Sequence, residues 1–299
     1  MPQNDLTIVV LIRETSDPRP PARVTARGAG ISERGLRRVP NPSDITALEE
    51  ALSLKETSGA VVTALVIGPD RLDDTARLAL SMGADRAVRF WDHGMEGADA
   101  TADARVVARI LSVLSPSFLF SGNRLTDRGD DPVPALAAAS QGIPCISAAV
   151  SLKLGKTGVE VVRKTDRGGR QVVVAPLPCT VLFDEGRTIR YPSVEALTSA
   201  LSAPIEHWDL AHLGIPFWEI GASGAYLTTV DFGVPRPDPV RVVTPDPGLP
   251  AFERILSLLS GGIKAREGKT HLLPPEHAAD ELWRILSEEG LVPEAPHSS

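Results

Sequence analysis

Cysteine is almost missing from this chain: Cys145 and Cys179 are the only two among 299 residues. Two cysteines cannot build a disulfide framework, and without a C-x-x-C pair they offer no metal or redox site. A reducing, cytoplasmic setting is therefore expected. Long apolar runs are absent too, and none approaches the ~18 residues of a membrane span. The N-terminal MPQNDLTIVVLIRETSDP has no basic segment before its short apolar run and no small-residue cleavage site after it. It reads as a buried first strand, Thr7 to Ile12, rather than a signal peptide. Positive charge is not in excess either. The formal net charge is −7, so neither nucleic acid nor an anionic membrane surface is an expected partner.

The common catalytic and phosphate-binding motifs are also lacking. No G-x-G-x-x-G follows the first strand, no P-loop occurs, and there is no G-x-S-x-G nucleophile elbow. The six histidines are scattered, at 93, 207, 212, 271, 277 and 297. His207 and His212, in HWDLAH, are five apart, a poorer match to one helix face than a spacing of four. Solvated histidines are the simpler reading, and no metal is expected. The 38 carboxylates form no recognisable acid–base constellation.

What is present is an ordinary globular balance, 42% hydrophobic and 23% charged. It suffices for one large domain with an appendage, or for two domains. Apolar runs alternate with helical patterns through the first half. Residues 7–12 read as a strand, followed by a Pro/Arg-rich stretch over 17–40. Asn41 is placed to cap a helix whose first position is Pro42, with Asp44 near its positive end. Ile45, Leu48 and Leu52 share one face of that helix. Strands over 60–67, 86–90 and 117–121 alternate with helices over 72–82, 103–114 and 131–141. That alternation predicts a mostly parallel sheet with helices on both faces, an α/β fold. Residues 146–154 and 159–162 flank LGKTG and read as an antiparallel hairpin, with further strands over 171–174 and 180–183. From about residue 204, Pro, Gly and isolated aromatics predict an extended arm. Helices near 249–259 and 275–289 follow, separated by SGGIKAREGKT. The 26 prolines crowd at 18–21 and 235–250, where a missing N–H does no harm. No internal repeat is evident.

In such a fold, ligands collect at the C-terminal ends of the strands. Ile67-Gly68-Pro69 and Ser121-Gly122-Asn123-Arg124 end two strands, and Asn41 starts a helix beside them. Glycines there allow close backbone approach, and a helix start favours an anion. Ordinary strand-to-helix turns would have the same spacing, and spacing alone leaves both readings open. The 13–38 stretch, with seven arginines and three acids, reads as a solvated loop with some capacity to touch an acidic partner.

Three stretches resemble the beta subunit of electron transfer flavoproteins. NPSDITALEEALSLK (41–55) follows that family's N-P-x-x-x-x-A-x-E-E-A-x-x-L-K pattern and leads to IGPD (67–70) and ALSMGADRA (79–87). SGNRLTDRGDDPVPALAAASQGIP (121–144) stands in place of its nucleotide loop and the helix after it. VVRKTDRGGRQVVVAPLPCTVL (161–182), followed by RYPS (190–193), resembles its signature region.

The resemblance implies an adenine-nucleotide-binding α/β domain over 1–204, and over 205–299 an arm and helices that clasp an alpha-type subunit. That partner would hold most of the redox FAD, and flavin-dependent dehydrogenases would deliver electrons to the heterodimer. The chain itself would be an electron-transfer subunit and not an enzyme. AMP is expected in this subunit, ahead of the second FAD found in the bifurcating subgroup. The implied pocket comprises Leu11, Asn41, Pro42, Ser43, Asp44, Ile67, Gly68 and the loop Gly122, Asn123, Arg124, Leu125, Thr126, Asp127, Arg128, Gly129, Asp130, Asp131, Pro132 and Val133. Arg190, Tyr191, Pro192 and Val194 are the implied docking segment. The loop departs from the family: its glutamine is Arg124, its later Gln-Thr pair is Pro132-Val133, and its three-carboxylate run is Asp127-Arg128-Gly129. Ser43 replaces an aromatic, and the lysine-rich run after the docking segment is LTSALSAP. Two other readings stand beside this one: a stand-alone adenine-nucleotide-binding regulator of the universal-stress type, and a scaffold subunit with an empty pocket. RYPS and the long arm favour the first reading over a compact sensor, while the altered loop keeps the scaffold in view.

Overall fold

The computed structural model describes residues 6–17, 19, 36–155, 158–228, 230, 245–259 and 273–288. Most of the 17–40 stretch and the SGGIKAREGKT turn lie outside the described residues. The chain divides into two compact units, 1–234 and 235–299.

In chain order the first unit contains β1 (Thr7–Ile12), β2 (Glu14–Ser16), β3 (Arg38–Pro40), α1 (Pro42–Ser58), β4 (Val61–Ile67), α2 (Asp73–Met82) and β5 (Arg86–Phe90). Next come α3 (Ala100–Leu114), β6 (Phe118–Gly122), β7 (Arg124–Leu125), β8 (Gly129–Asp130), α4 (Val133–Ser140), β9 (Cys145–Leu154) and β10 (Val159–Lys164). β11 (Arg170–Ala175), β12 (Cys179–Phe183), α5 (Val194–Ser202), β13 (Glu206–Trp208), α6 (Leu210–Leu213) and α7 (Gly221–Gly224) complete it. The second unit holds α8 (Ala251–Leu259) and α9 (Pro275–Glu288).

Nine strands form one sheet in the order β11-β10-β9-β12-β6-β1-β4-β5-β13. Every pairing from β9 to β13 is parallel, and β10 runs antiparallel to both β9 and β11. The expected α/β architecture, with its antiparallel addition, is therefore the observed one. Two small antiparallel pairs, β2–β3 and β7–β8, stand beside the main sheet.

Strand β1 is apolar throughout because both of its faces are covered. Ile8, Val10 and Ile12 enter a core with α1, α2 and the aromatic group Phe118, Phe120 and Phe183. Val9 and Leu11 enter a second core with Val106, Val107, Ile110 and Leu111 of α3. The period of two along the strand sorts successive residues between the two layers. Phe120 is wedged between Phe118 and Phe183, with ring centroids 5.1 and 5.0 Å away. Such tilted and edge-on pairs suit the ring quadrupole. Helix α1 ends on Gly59, whose φ of 73° lets its N–H reach the Lys55 carbonyl.

The region after residue 204 differs from an extended arm. β13 adds a parallel strand beside β5, and Leu213 and Ile220 are buried in the α3 core. Isolated apolar residues separated by Pro and Gly carry no clear period, so tertiary packing decides their placement. Helix α8 presents Phe252, Ile255, Leu256 and Leu259 exposed along one face. Among the described residues, no helix is long and apolar enough to cross a membrane.

Candidate functional site

The parallel strands β6, β1 and β4 end along one edge, and α1 and the 122–133 loop start from it. Leu11 is buried there, and Ile67 and Val133 pack partly buried against the same apolar cluster. Gly68 follows β4 with φ 152°, and a Cβ on it would lie 3.1 Å from the Leu72 side chain. Three of the expected residues thus share one apolar floor beside the loop.

Asn41 and Asp44 are fully buried polar residues and need internal partners. Asn41 precedes α1, but its side chain makes no cap bond to that helix, contrary to the sequence reading. Its Nδ2 donates to the Arg124 carbonyl at 2.9 Å, and its Oδ1 accepts from the Thr126 hydroxyl at 3.1 Å. Its amide is thus committed to the loop, to the Arg124 carbonyl and to both the hydroxyl and the N–H of Thr126. We expect Asn41→Ala to lose about 1–3 kcal/mol, the cost of leaving such buried groups unpaired. It should also raise amide exchange selectively over residues 123–131. Exchange changed only in the first turn of α1 would restore the capping role.

Asp44 joins three elements. Its Oδ1 accepts from the Gly122 N–H at 2.6 Å and from the Ser121 hydroxyl at 3.3 Å, and its Oδ2 accepts from the Arg13 backbone N–H at 2.8 Å. The Arg13 guanidinium closes the arrangement: Nε and Nη2 bind the Asp44 carboxylate at 3.0 and 2.6 Å, and Nη1 pairs with Asp131. Burial pulls this guanidinium's pKa down, and Asp44 and Asp131 more than reverse it, leaving it raised. Asp103, in the first turn of α3, is pushed up to about 6 by burial first and by the nearby Asp131 second.

Gly122 proves to be a packing requirement. A Cβ there would sit 2.5 Å from the Ser43 Cβ and 2.9 Å from the Asp44 nitrogen. The start of α1 and the end of β6 therefore touch directly, with the Asp44 carboxylate on the Gly122 amide. Pro42 opens α1, and the Ser43 hydroxyl donates to Glu185 at 3.3 Å. Asn123 turns to the other flank, where its Oδ1 accepts from the N–H of Ala148, a residue held at φ 57° in β9.

Beyond Asn123 the loop is a small hairpin. Arg124 and Leu125 pair with Asp130 and Gly129, and Gly129 turns the chain at φ 81°. Asp127 accepts from the Ser16 N–H at 2.9 Å. Arg124 and Arg128 are exposed, and Arg128 lies 3.9 Å from Asp127. Asp131 then starts α4 by accepting the Val133 N–H at 3.1 Å, with Pro132 between them.

The RYPS segment splits by role. Arg190 grips Glu49 of α1 through Nη2 at 2.8 Å and Glu56 through Nη1 at 2.6 Å, and beside it Arg187 pairs with Glu50. Hydrogen bonding to Glu49 raises the Arg190 pKa, outweighing the opposite pull of burial. Arg190 is thus an internal clamp, which explains the two buried glutamates of the E-E pair in α1. Tyr191, by contrast, is 96% exposed and Val194 81%. Leu197 and Leu201 are also exposed; their spacing from Val194 puts all three on one helix face. Arg77 of α2 holds the far end of α5, donating to the carbonyls of Ala200 and Leu201 at 2.9 and 2.7 Å.

Sequence reasoning missed Arg13 and the Arg190 clamp. An arginine directly after a fully buried strand was the available signal for the first. Among the described residues, no cluster of His, Cys, Asp or Glu is arranged to hold a metal ion.

Comparison with known proteins identifies the family. Residues 29–213 match the family model for the electron transfer flavoprotein domain. The chain belongs to the electron transfer flavoprotein beta family. It is 31% identical over 264 residues to electron transfer flavoprotein subunit beta of Mycobacterium bovis, a match covering 85% of this chain and 94% of that one. The subunit beta of Methylophilus methylotrophus is 29% identical over 223 residues, covering 73% and 84%. Protein FixA of Azotobacter vinelandii is 30% identical over 216 residues, covering 69% and 76%. The family match spans all three stretches that carried the resemblance and the 41–44, 67–68 and 122–133 parts of the strand-end site. A beta-type electron transfer flavoprotein role follows for the chain.

Proposed function

We propose that this chain is one half of an electron transfer flavoprotein heterodimer, with an alpha-type partner that holds most of the redox FAD. The observation that carries this reading, for a chain of this family, is a run of exposed apolar side chains: Phe217, Trp218, Tyr226, Leu227 and Val230. An apolar run of this length on a charged protein calls for a partner surface. Leu213 and Ile215, in contrast, are satisfied within the chain's own α3 core.

A flavin-dependent dehydrogenase is the proposed electron donor. Tyr191, Pro192 and Val194 form its proposed docking segment, extended by Leu197 and Leu201. The Arg190 and Arg77 contacts hold that face rigidly, which lowers the ordering cost of docking.

AMP is the proposed ligand at the strand ends. The proposed seat of its adenosine is the apolar cluster around buried Leu11, with the partly buried Ile67 and Val133 as the side chains that would meet it. At the phosphate end the fit is poorer: Asp44 already occupies the Gly122 amide, and Pro132 supplies no N–H. Arg124 and Arg128 are exposed on the loop and would provide the grip on phosphate. When bound, the nucleotide would serve as a structural element rather than a redox centre.

The test is the nucleotide content of the natively co-purified heterodimer, wild type and with both Arg124→Gln and Arg128→Gln. The double variant should bind AMP on the order of a hundredfold more weakly, from two lost charge-assisted contacts. Equal AMP release by heat from both proteins would assign the arginines to solvent. Absence of any adenine nucleotide from the wild type would favour the scaffold reading instead, which the closed Asp44–Gly122 contact already supports.

A further inference from the structure

We propose that Asp131 is the specificity-determining residue of the strand-end site, an internal carboxylate seated where a ligand phosphate would meet Arg13 and the start of α4. The inference rests on the nucleotide reading above and says how that site treats charge.

One Asp131 oxygen pairs with the Arg13 guanidinium and the other accepts the Val133 N–H at 3.1 Å. A guanidinium and a helix-start amide are the two donor types that a phosphate recruits. Pro132 has no N–H, so the Val133 amide is the donor nearest the start of α4, and Asp131 covers it. The rest of Arg13 is committed to Asp44, which takes Nε and Nη2. Only 13% of the Arg13 side chain and 9% of the Asp131 side chain are exposed. A phosphate reaching either donor must therefore displace Asp131 into a neighbourhood that already holds Asp44 and Asp103. Burial first and the Asp131 charge second hold Asp103 above its ordinary range, with Arg128 opposing them. Phosphate gains little from Arg13 or the Val133 amide, because each of those contacts replaces an equivalent one. Arg13 and the start of α4 accordingly add nothing to the wild-type preference for AMP over adenosine, which is left to Arg124 and Arg128 on the loop. For the same reason this end of the site disfavours the pyrophosphate of a dinucleotide.

Asp131→Asn keeps the shape and an acceptor for Val133 while deleting the competing charge. Asp131→Ser does the same with a shorter side chain and serves if the asparagine variant folds poorly. Asp131→Glu retains the charge. Each is made in the full heterodimer, stripped of nucleotide and titrated calorimetrically with AMP and with adenosine. Both neutral variants should bind AMP at least about tenfold more tightly, the size of one charge-assisted contact. Adenosine affinity should not change, and the glutamate variant should keep the wild-type ratio. An AMP-to-adenosine ratio unmoved by loss of the charge, with adenosine still bound, overturns this inference alone. If wild type and variants bind neither compound, the nucleotide reading falls and the inference falls with it.

Discussion

Asp44→Ala is expected to destabilise the chain by about 3–5 kcal/mol, the loss typical of removing one partner from a buried ion pair. Asp44 is fully buried, and its carboxylate satisfies the Gly122 N–H, the Ser121 hydroxyl, and both the backbone and the guanidinium of Arg13. Truncation leaves the Gly122 and Arg13 backbone N–H groups without this acceptor in a space that water enters poorly. Arg13 keeps Asp131, which limits the damage to the guanidinium. Ser121 keeps the Leu11 carbonyl at 3.2 Å, while the Gly122 N–H loses the acceptor it has in Asp44. Asp44→Asn should fall between wild type and alanine, since its oxygen can still accept from Gly122 while its amide group opposes Arg13. Urea unfolding measures the effect: the midpoint should drop with the slope unchanged, as befits a loss of native contacts alone. A loss below about 1 kcal/mol for the alanine variant would mean that the α1–β6 junction does not depend on this network.

The second large effect concerns the partner. Expressed alone, the chain should aggregate or purify without colour, and a soluble yellow species should require co-expression of the alpha-type subunit. The cause is the exposed apolar run from Phe217 to Val230, with Phe217 and Trp218 stacked edge to face at 5.2 Å. Arg105 reinforces the base of this region, donating to the carbonyls of Glu219 and Gly224 at 2.9 and 2.8 Å while lying over the Tyr226 ring. These contacts hold the apolar side chains in place without covering them, which favours a preformed interface. Substituting Trp218 and Leu227 by serine should restore solubility to the isolated chain and abolish heterodimer formation. Recovery of a monomer carrying stoichiometric flavin would sink the heterodimer proposal.

Much of the sheet was legible in advance because its strands are short, predominantly apolar and punctuated by Gly, Pro and polar caps. AVVTALVI before Gly68-Pro69 can be little else, and the hairpin around residues 155–158 announces itself by composition. The site was harder to read. Asn41 looked like a cap because asparagine before Pro42 has that chemistry locally; the competing partners, Arg124 and Thr126, are more than 80 residues away in sequence. Arg190 was assigned to the docking segment because RYPS resembles the family's signature region. Only the fold brings Glu49 and Glu56 of α1 beneath it.

The sequence by itself determined the layered α/β class, the family, and the loops that gather at one edge of the sheet. Those properties follow from local apolar period, turn residues and motif order, all of which act over a few neighbouring positions. The tertiary structure decided which polar groups are consumed internally. Gly122 faces Asp44 rather than open space, Arg13 is shared between Asp44 and Asp131, and residues 206–224 close onto the sheet and α3. Each outcome depends on which buried donors and acceptors lie within about 3 Å once the layers have packed, and no local pattern encodes that distance.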